Sequence, residues 1–209
     1  MLADESGLID RIYEAALMTD LWPAVLHEIA GAAEAEGGVL FTVSGERLRW
    51  TASGALVPVF ESFVAEGWRD RNPRAARGVA LDHVGFVNDL DLFSPEEIEA
   101  EPLYGYLRGK GLGWCAGTVV QLPGGDGLIF HWERRFARGA VERATLHGLD
   151  GLRPHLARAA LLSARLGLEG PGPRPPRRAA IPRGRRSPQG ACSSCSPELR
   201  SRLPPEPRR

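Results

Sequence analysis

The composition of this chain changes abruptly near residue 170, and that change limits which part can fold. Residues 170–209 contain ten of the 17 prolines, ten arginines and two glutamates, and they have no Phe, Trp or Tyr. Such a segment has too little apolar surface to offset the conformational entropy that is lost on ordering. The sequence therefore predicts a folded domain over residues 1–169 and a disordered Pro/Arg-rich tail over residues 170–209.

The formal charge of the whole chain is zero, with 26 basic and 26 acidic residues, but the two parts differ. Ten arginines against two glutamates give the tail a charge of +8, which leaves −8 on residues 1–169. The acidic start of the chain lacks the basic region of a secretory signal, and no stretch reaches the ~20 apolar residues of a membrane helix. We expect a cytoplasmic protein that does not enter the membrane.

Apolar residues recur at helical spacing in several parts of the domain. Two helices are predicted near the N-terminus, one after Ser6 and one beginning near Asp20. A third helix is predicted from Leu56 to Asp70, where Asn72-Pro73 would stop it because the residue before proline is disfavoured in the α region. The segment Ser94-Pro-Glu-Glu97 has the pattern of a helix N-terminus with a capping box.

Alternating apolar residues predict two hairpins. The first pairs residues 39–43 with 48–52, and the second pairs residues 114–122 with 128–132 across a Gly-rich turn. A long helix is then predicted over residues 140–168. The order of helices, hairpin, helices, hairpin and long helix predicts an α+β fold, in which an antiparallel sheet is flanked by helices.

The last predicted helix carries a seam of apolar and small residues. Its members step by three and four, which is typical of a coiled coil: Leu149, Leu152, Leu156, Ala159, Ser163 and Leu166. Two explanations stay open at this point. The seam either forms a homodimer through residues 145–168 or packs against the sheet of its own chain.

The sequence predicts no catalytic residues, no cofactor and no metal site. The five histidines lack the His-x3-His and His-Glu-x-x-His spacings, and Cys192-Ser-Ser-Cys195 lacks the second ligand pair of a zinc site. Cys115 and His131 can be placed across the second hairpin as nucleophile and base. The alternative is a small core cysteine and an edge histidine. We expect that the chain is not an enzyme.

Five stretches of the domain carry a resemblance to a known family. They are Leu8-Ile-Asp-Arg-Ile-Tyr-Glu-Ala-Ala16 with Leu21-Trp-Pro23, Gly67-Trp-Arg-Asp-Arg-Asn-Pro73, Gly85-Phe-Val-Asn-Asp89, Leu112-Gly-Trp114 and Leu152-Arg-Pro-His-Leu156. In order and spacing they resemble the N-terminal sensory domains of LuxR-type helix-turn-helix transcriptional regulators. That resemblance implies a PAS/GAF-like fold and a ligand-sensing role in transcription regulation.

The resemblance also implies which residues contact a small-molecule effector. Autoinducer-binding members of the wider group have an Asp before a proline, and this Asp holds a polar group of the acyl-homoserine lactone. In this chain Asn72 stands at that position. Those members also have an aromatic residue two positions after the residue that matches Phe86, and in this chain that position is Asn88. An amide can hydrogen-bond but carries no charge. By this correspondence Phe63, Trp68 and Asn72 are the expected ligand-binding residues.

The tail departs from the family pattern. Regulators of this type end with a DNA-binding helix-turn-helix, whose second helix enters the major groove. Ten prolines within residues 170–209 exclude two adjoining helices there. We therefore expect a truncated or frameshifted product that lacks the DNA-binding domain. The alternative function is nucleic-acid binding through the Arg-rich tail, which its charge of +8 favours.

Overall fold

The computed structural model describes residues 5–44, 47–122 and 126–166, so the tail predicted over residues 170–209 lies outside the described part. The helices are α1 Glu5–Leu17, α2 Trp22–Ala32, α3 Val57–Ala65, α4 Pro73–Leu81, α5 Asp89–Leu92, α6 Pro95–Ala100, α7 Pro102–Gly109, α8 Arg143–Asp150 and α9 Arg153–Arg165. The strands are β1 Gly37–Ser44, β2 Arg47–Ala52, β3 Val87–Asn88, β4 Leu112–Gln121 and β5 Gly127–Arg135. Within these described ranges, no helix combines the length and the apolar character needed to cross a membrane.

The five strands form one antiparallel sheet in the order β2-β1-β5-β4-β3. The central strand is β5, which pairs with both β1 and β4. Alternate side chains of a strand point to opposite faces, and here Phe130 and Trp132 join one apolar cluster while Ile129 packs against another. Helices cover both faces. The predicted α+β fold and both predicted hairpins are confirmed.

The first face of the sheet is covered by α1, α2, α8 and α9. Trp132 is fully buried there, and its indole N–H donates to the carbonyl oxygen of Leu26 at 3.0 Å. Helix α9 packs against α1, where the Ser163 hydroxyl donates to the carbonyl oxygen of Ala16 at 3.0 Å. This layer is a closed apolar core.

The second face is covered by α3 to α7. Phe60 of α3 packs on Phe41 of β1 and Trp50 of β2, and α7 packs on β4. Phe60 and Tyr104 are both fully buried. Helix α4 lies over β4 on the same side. Between α4 and the sheet this layer encloses the cavity described below.

The helix predicted from Leu56 to Asp70 is shorter than expected. Helix α3 ends at Ala65, and Gly67 follows with a φ of +74°, a left-handed conformation that glycine adopts without a steric cost. Asn72-Pro73 then starts a helix, because the Asn72 side chain accepts the backbone N–H of Arg74 at 3.0 Å and Pro73 occupies the first turn. The sequence analysis does not predict this helix, α4, in which Val79 and Leu81 are the only large apolar residues.

The predicted long C-terminal helix is also wrong in its continuity. The chain forms α8 and α9 instead, separated by Gly151 and Leu152, and Pro154 lies in the first turn of α9, where its missing N–H does not break a helical hydrogen bond. The seam residues from Leu149 to Ser163 are buried within this chain, whereas Leu166 is half exposed. The seam therefore packs intramolecularly. A homodimer through residues 145–168 stays a prediction, and it would have to form through the outer surfaces of α8 and α9.

The contact between β1 and Trp132 gives a direct test of this packing. A Cβ atom added at Gly38 would lie 2.5 Å from the indole nitrogen of Trp132, which is locked in place by its bond to Leu26. We expect Gly38→Ala to lower the free energy of unfolding by about 1–3 kcal/mol, as overpacked cores do. The measurement is urea unfolding.

The matched control is Gly31→Ala. This glycine lies within α2 with nothing within 4 Å of an added Cβ, so alanine should raise stability by up to ~1 kcal/mol through helix propensity. Equal stability of the Gly38→Ala variant and the wild type would contradict the packing described for this face.

Candidate functional site

A cavity of about 490 Å³ lies between the second face of the sheet and α4, within the size range of small-molecule sites. Its apolar wall is formed by Phe41, Val43, Leu48, Phe63, Ala75, Leu81, Val87, Leu92, Val119 and Ile129. Its polar wall is formed by Arg69, Asn72, Arg74, His83, Asn88, Asp89, Cys115, Thr118 and His131. The cavity can therefore surround a mainly apolar molecule and also offer it hydrogen-bonding groups.

A buried ion network stands at the inner end of the cavity and is centred on Arg74 of α4. Its Nε lies 2.8 Å from Asp89 Oδ1, and its Nη1 donates to Glu133 Oε1 at 2.9 Å. Asp89 also accepts the Tyr104 hydroxyl at 2.7 Å and the backbone N–H of Cys115 at 2.5 Å. One guanidinium thus joins α4, α5 and β5, and each carboxylate oxygen of Asp89 accepts a hydrogen bond.

The buried environment shifts the pKa of three side chains of β4 and β5 beside Arg74, those of Glu133, His131 and Cys115. Burial raises the pKa of Glu133 to about 7, against the opposing effect of the Arg74 charge. Burial, together with Arg74, lowers the pKa of His131 to about 3. The pKa of the Cys115 thiol is raised by burial and then by the Glu133 carboxylate. Near neutral pH the histidine is uncharged and the cysteine is a thiol.

The hairpin of β4 and β5 brings Cys115, His131 and Glu133 to one place. Cys115 is paired with Glu133 in the register of the two strands, and His131 lies two residues before Glu133 on the same face. One ligand-type atom from each of the three residues lies within 4.8 Å of the other two.

The structure thus unites Cys115 and His131, the pair that sequence analysis placed across this hairpin. His131 belongs to the central strand β5, so the expectation of an edge histidine is wrong. Cysteine nucleophiles react as thiolates, and this thiol has its pKa raised rather than lowered.

The three ligand-binding residues expected from sequence do not share one location. Phe63 and Asn72 line the cavity. Trp68 does not; it packs on Tyr106, with ring centroids 5.0 Å apart, and beneath the guanidinium of Arg71 at 4.3 Å. The reason is the turn at Gly67, which ends α3 and places Trp68 on a short 3-10 turn. Ligand contact by Phe63 and Asn72 stays a prediction.

Sequence reasoning missed the residue at the centre of the network. Arg74 is one of several arginines near α4, and nothing in its spacing separates it from Arg69, Arg71 and Arg77. The dipeptide Asn72-Pro73 could have predicted a helix start, because Asn is a common N-cap and Pro a common first helical residue, and such a helix places residue 74 in its first turn. The burial of Glu133 follows only from the central position of β5 in the sheet.

Hydrogen bonds connect the cavity wall to the C-terminal helices. Arg153, the first residue of α9, donates from Nε to the Thr118 hydroxyl at 2.8 Å and from Nη2 to the carbonyl oxygen of Val119 at 3.0 Å. Asp150, the last residue of α8, accepts the backbone N–H of Phe86 at 2.7 Å. A displacement of the β4 wall would therefore act directly on the junction of α8 and α9.

The raised pKa of Glu133 makes stability depend on pH. The folded protein keeps the proton up to about pH 7, whereas an ordinary glutamate loses it near 4.5, so the folded state binds more protons between these values. Stability from this group is complete below pH 4.5 and is lost as the pH rises through 7. We expect Glu133→Gln, which does not titrate, to gain stability relative to the wild type over this interval, by on the order of 3 kcal/mol.

The measurement is urea unfolding of both proteins at pH 4.5 and at pH 7. His131 contributes a slope of opposite sign, because its lowered pKa favours folding at higher pH, but it does so in both proteins. A constant difference in stability between the two proteins would show that the pKa of Glu133 is not raised in the folded protein.

No protein-family model matches the sequence, and no curated protein matches it, but solved structures match the fold. The LBD domain of VqsR from Pseudomonas aeruginosa gives a TM-score of 0.57 at 16% identity, over 80% of this chain and 99% of that one. CepR2 from Burkholderia cenocepacia, an N-acylhomoserine lactone dependent LuxR family transcription factor, gives 0.55 at 14% identity, over 77% and 96%. Escherichia coli SdiA gives 0.52 at 18% identity, over 74% and 68%. The resemblance to LuxR-type sensory domains is thus confirmed at the level of the fold, which this chain shares with these three proteins.

Proposed function

We propose that residues 5–166 form the ligand-sensing domain of a LuxR-type transcriptional regulator and that the domain binds rather than transforms its ligand. The observation that carries this proposal is the cavity of about 490 Å³ between the sheet and α4. Its size and its mainly apolar lining suit a small organic molecule. CepR2 is an N-acylhomoserine lactone dependent transcription factor, and the fold that this chain shares with it supports the same assignment.

The lining indicates an amphipathic ligand. Apolar side chains of β1, α4 and β4 would contact an apolar body, since residues such as Val43, Leu81 and Val119 line the cavity together. The polar end would meet Arg74 and Asn72, which supply hydrogen-bond donors and an acceptor. Arg74 is already paired with two carboxylates, so the network suits a neutral polar head better than a strongly charged one.

Signal output is proposed to run through the contact of Arg153 with β4. Thr118 and Val119 both line the cavity and both accept hydrogen bonds from Arg153 at the start of α9. A ligand that shifts this part of β4 favours one packing of α9 over another, and it can do so only by its differential affinity for the two arrangements. In a regulator that carries a DNA-binding domain after α9, such a shift would change how that domain is held.

Filling the cavity tests whether the domain binds a ligand there. Ala75 lines the cavity, whereas Ala76, the next residue of α4, is exposed. We expect Ala75→Phe to weaken binding of a medium-chain N-acylhomoserine lactone and of the dye anilinonaphthalene sulfonate by at least about tenfold, or 1.4 kcal/mol, because a phenyl ring would occupy their space. Ala76→Phe should leave both affinities unchanged. Dye fluorescence and its displacement by the lactone give the two affinities.

Two results would count against a sensing cavity. Equal loss of dye binding in both variants would place the dye elsewhere on the surface. Dye binding that is lost in Ala75→Phe but never displaced by the lactone would keep the cavity and exclude that class of ligand.

The proposed output is tested by removing the bridge between β4 and α9. We expect Arg153→Ala to reduce the ligand-induced change in amide hydrogen exchange of α9, because the two hydrogen bonds to Thr118 and Val119 are lost. Arg158→Ala, at an exposed position of the same helix, is the matched control and should leave the ligand response intact. Identical responses in both variants would refute coupling through Arg153.

A further inference from the structure

From the arrangement of Cys115, His131 and Glu133 we infer that the inner wall of the cavity holds a zinc(II) ion. The three side chains offer a thiolate, an imidazole nitrogen and a carboxylate oxygen, which are the ligand types that zinc prefers in proteins. One such atom of each residue lies within 4.8 Å of the other two. This inference does not depend on the sensing function, because it concerns the side chains of the sheet alone.

The geometry requires little change to close around an ion. Zinc bonds of about 2.0–2.3 Å place the ligand atoms of a tetrahedral site about 3.5 Å apart, so atoms now within 4.8 Å of one another would have to approach by roughly 1 Å. The backbone is already suitable, because Cys115 of β4 and Glu133 of β5 are directly paired and His131 lies on the same face of β5. All three residues are less than a tenth exposed, so the ion would be shielded from bulk water.

Unpartnered polar atoms give a second and independent indication. Glu133 Oε2 and His131 Nε2 are buried, and neither has a hydrogen-bond partner among the described residues. Leaving a buried polar atom without a partner costs roughly 1–3 kcal/mol, so native proteins rarely do so. A metal ion that binds the carboxylate and the imidazole would satisfy both residues at once.

Arg74 is the group that most opposes a cation here, and its contacts show how the charges balance. Its Nη1 donates to Glu133 Oε1, which leaves Oε2 of the same carboxylate for the metal. Such a partner orients a metal-binding carboxylate from outside the coordination sphere. One guanidinium and one divalent ion would face one thiolate and the two carboxylates of Asp89 and Glu133, so the buried group would be neutral. Binding needs Cys115 as a thiolate and Glu133 as a carboxylate, so any proton that either side chain carries is released to solvent.

Three protein ligands leave a coordination position of zinc for another molecule. Cys115 and His131 both line the cavity, so that position would be reached from the cavity. The ion would then supply a polar anchor for a ligand head that carries an oxygen or nitrogen donor.

The experiment uses the full-length chain without an affinity tag and with Cys192→Ser and Cys195→Ser, since those two thiols could themselves bind zinc. Cobalt(II) serves as the spectroscopic probe, and zinc(II) is then titrated against it. We expect one cobalt ion per chain, a thiolate-to-cobalt charge-transfer band and the visible bands of a tetrahedral ion, all displaced by zinc. Adding Cys115→Ser should remove the charge-transfer band and weaken affinity by at least about tenfold, as even loss of an outer partner does.

Zinc X-ray absorption of the Cys192→Ser, Cys195→Ser protein gives a second measurement that does not need the Cys115 variant to fold. One sulfur ligand together with nitrogen or oxygen ligands supports the site. The absence of any sulfur ligand, the absence of the charge-transfer band, or a band that persists after Cys115→Ser overturns it.

Discussion

The guanidinium of Arg74 is the group on which the architecture of the second face depends. It joins Asp89 and Glu133 at 2.8 and 2.9 Å and so ties α4 and α5 to the centre of the sheet. Removing such a charge from water is costly, and the cost is recovered only when the partners are close and well oriented. Both carboxylates contribute to this balance, because against the effect of burial they hold the pKa of Arg74 well above its usual value. Without them, α4 would have no polar anchor beneath it and the cavity would lose one wall.

A second set of contacts, made by Arg77, fixes the outer edge of the same helix. Arg77 binds Glu97 of α6 with two hydrogen bonds, at 2.9 and 2.7 Å, and reaches the carbonyl oxygen of Leu92 at 2.8 Å. Its guanidinium also lies 4.1 Å above the ring of Phe93. Helix α4 is therefore held from within by buried charges and from outside by a partly exposed clamp. Because α4 is held by polar contacts at its two sides, space remains between the helix and the sheet. A helix packed on the sheet through large apolar side chains would fill that space.

The two faces of the sheet serve different purposes. One face is a closed core in which Trp132 and Phe130 fill the space beneath α1 and α2. The other combines an aromatic cluster around Phe60 with a cavity that has charged residues at its inner end. Because β5 contributes alternate residues to both faces, the same strand supplies Trp132 to the core, His131 to the cavity wall and Glu133 to the ion network at the inner end of the cavity. The bond from Arg153 to β4 then connects the cavity with the helices of the core side.

The sequence by itself determined both hairpins and most of the helices, and from them the α+β fold, because these elements depend on local spacing and capping. The capping box at Ser94 and the hairpin around residues 114–132 are examples, since each is encoded within a few residues. It also identified Phe63 and Asn72, which the fold does bring to the cavity. It did not determine α4 or the division between α8 and α9. It could not determine that Trp68 lies elsewhere, because that depends on the turn at Gly67. Only the tertiary structure decided that Arg74, Asp89 and Glu133 meet. Their contact joins two helices and the central strand, which are distant in sequence, and their burial follows from this arrangement rather than from local spacing.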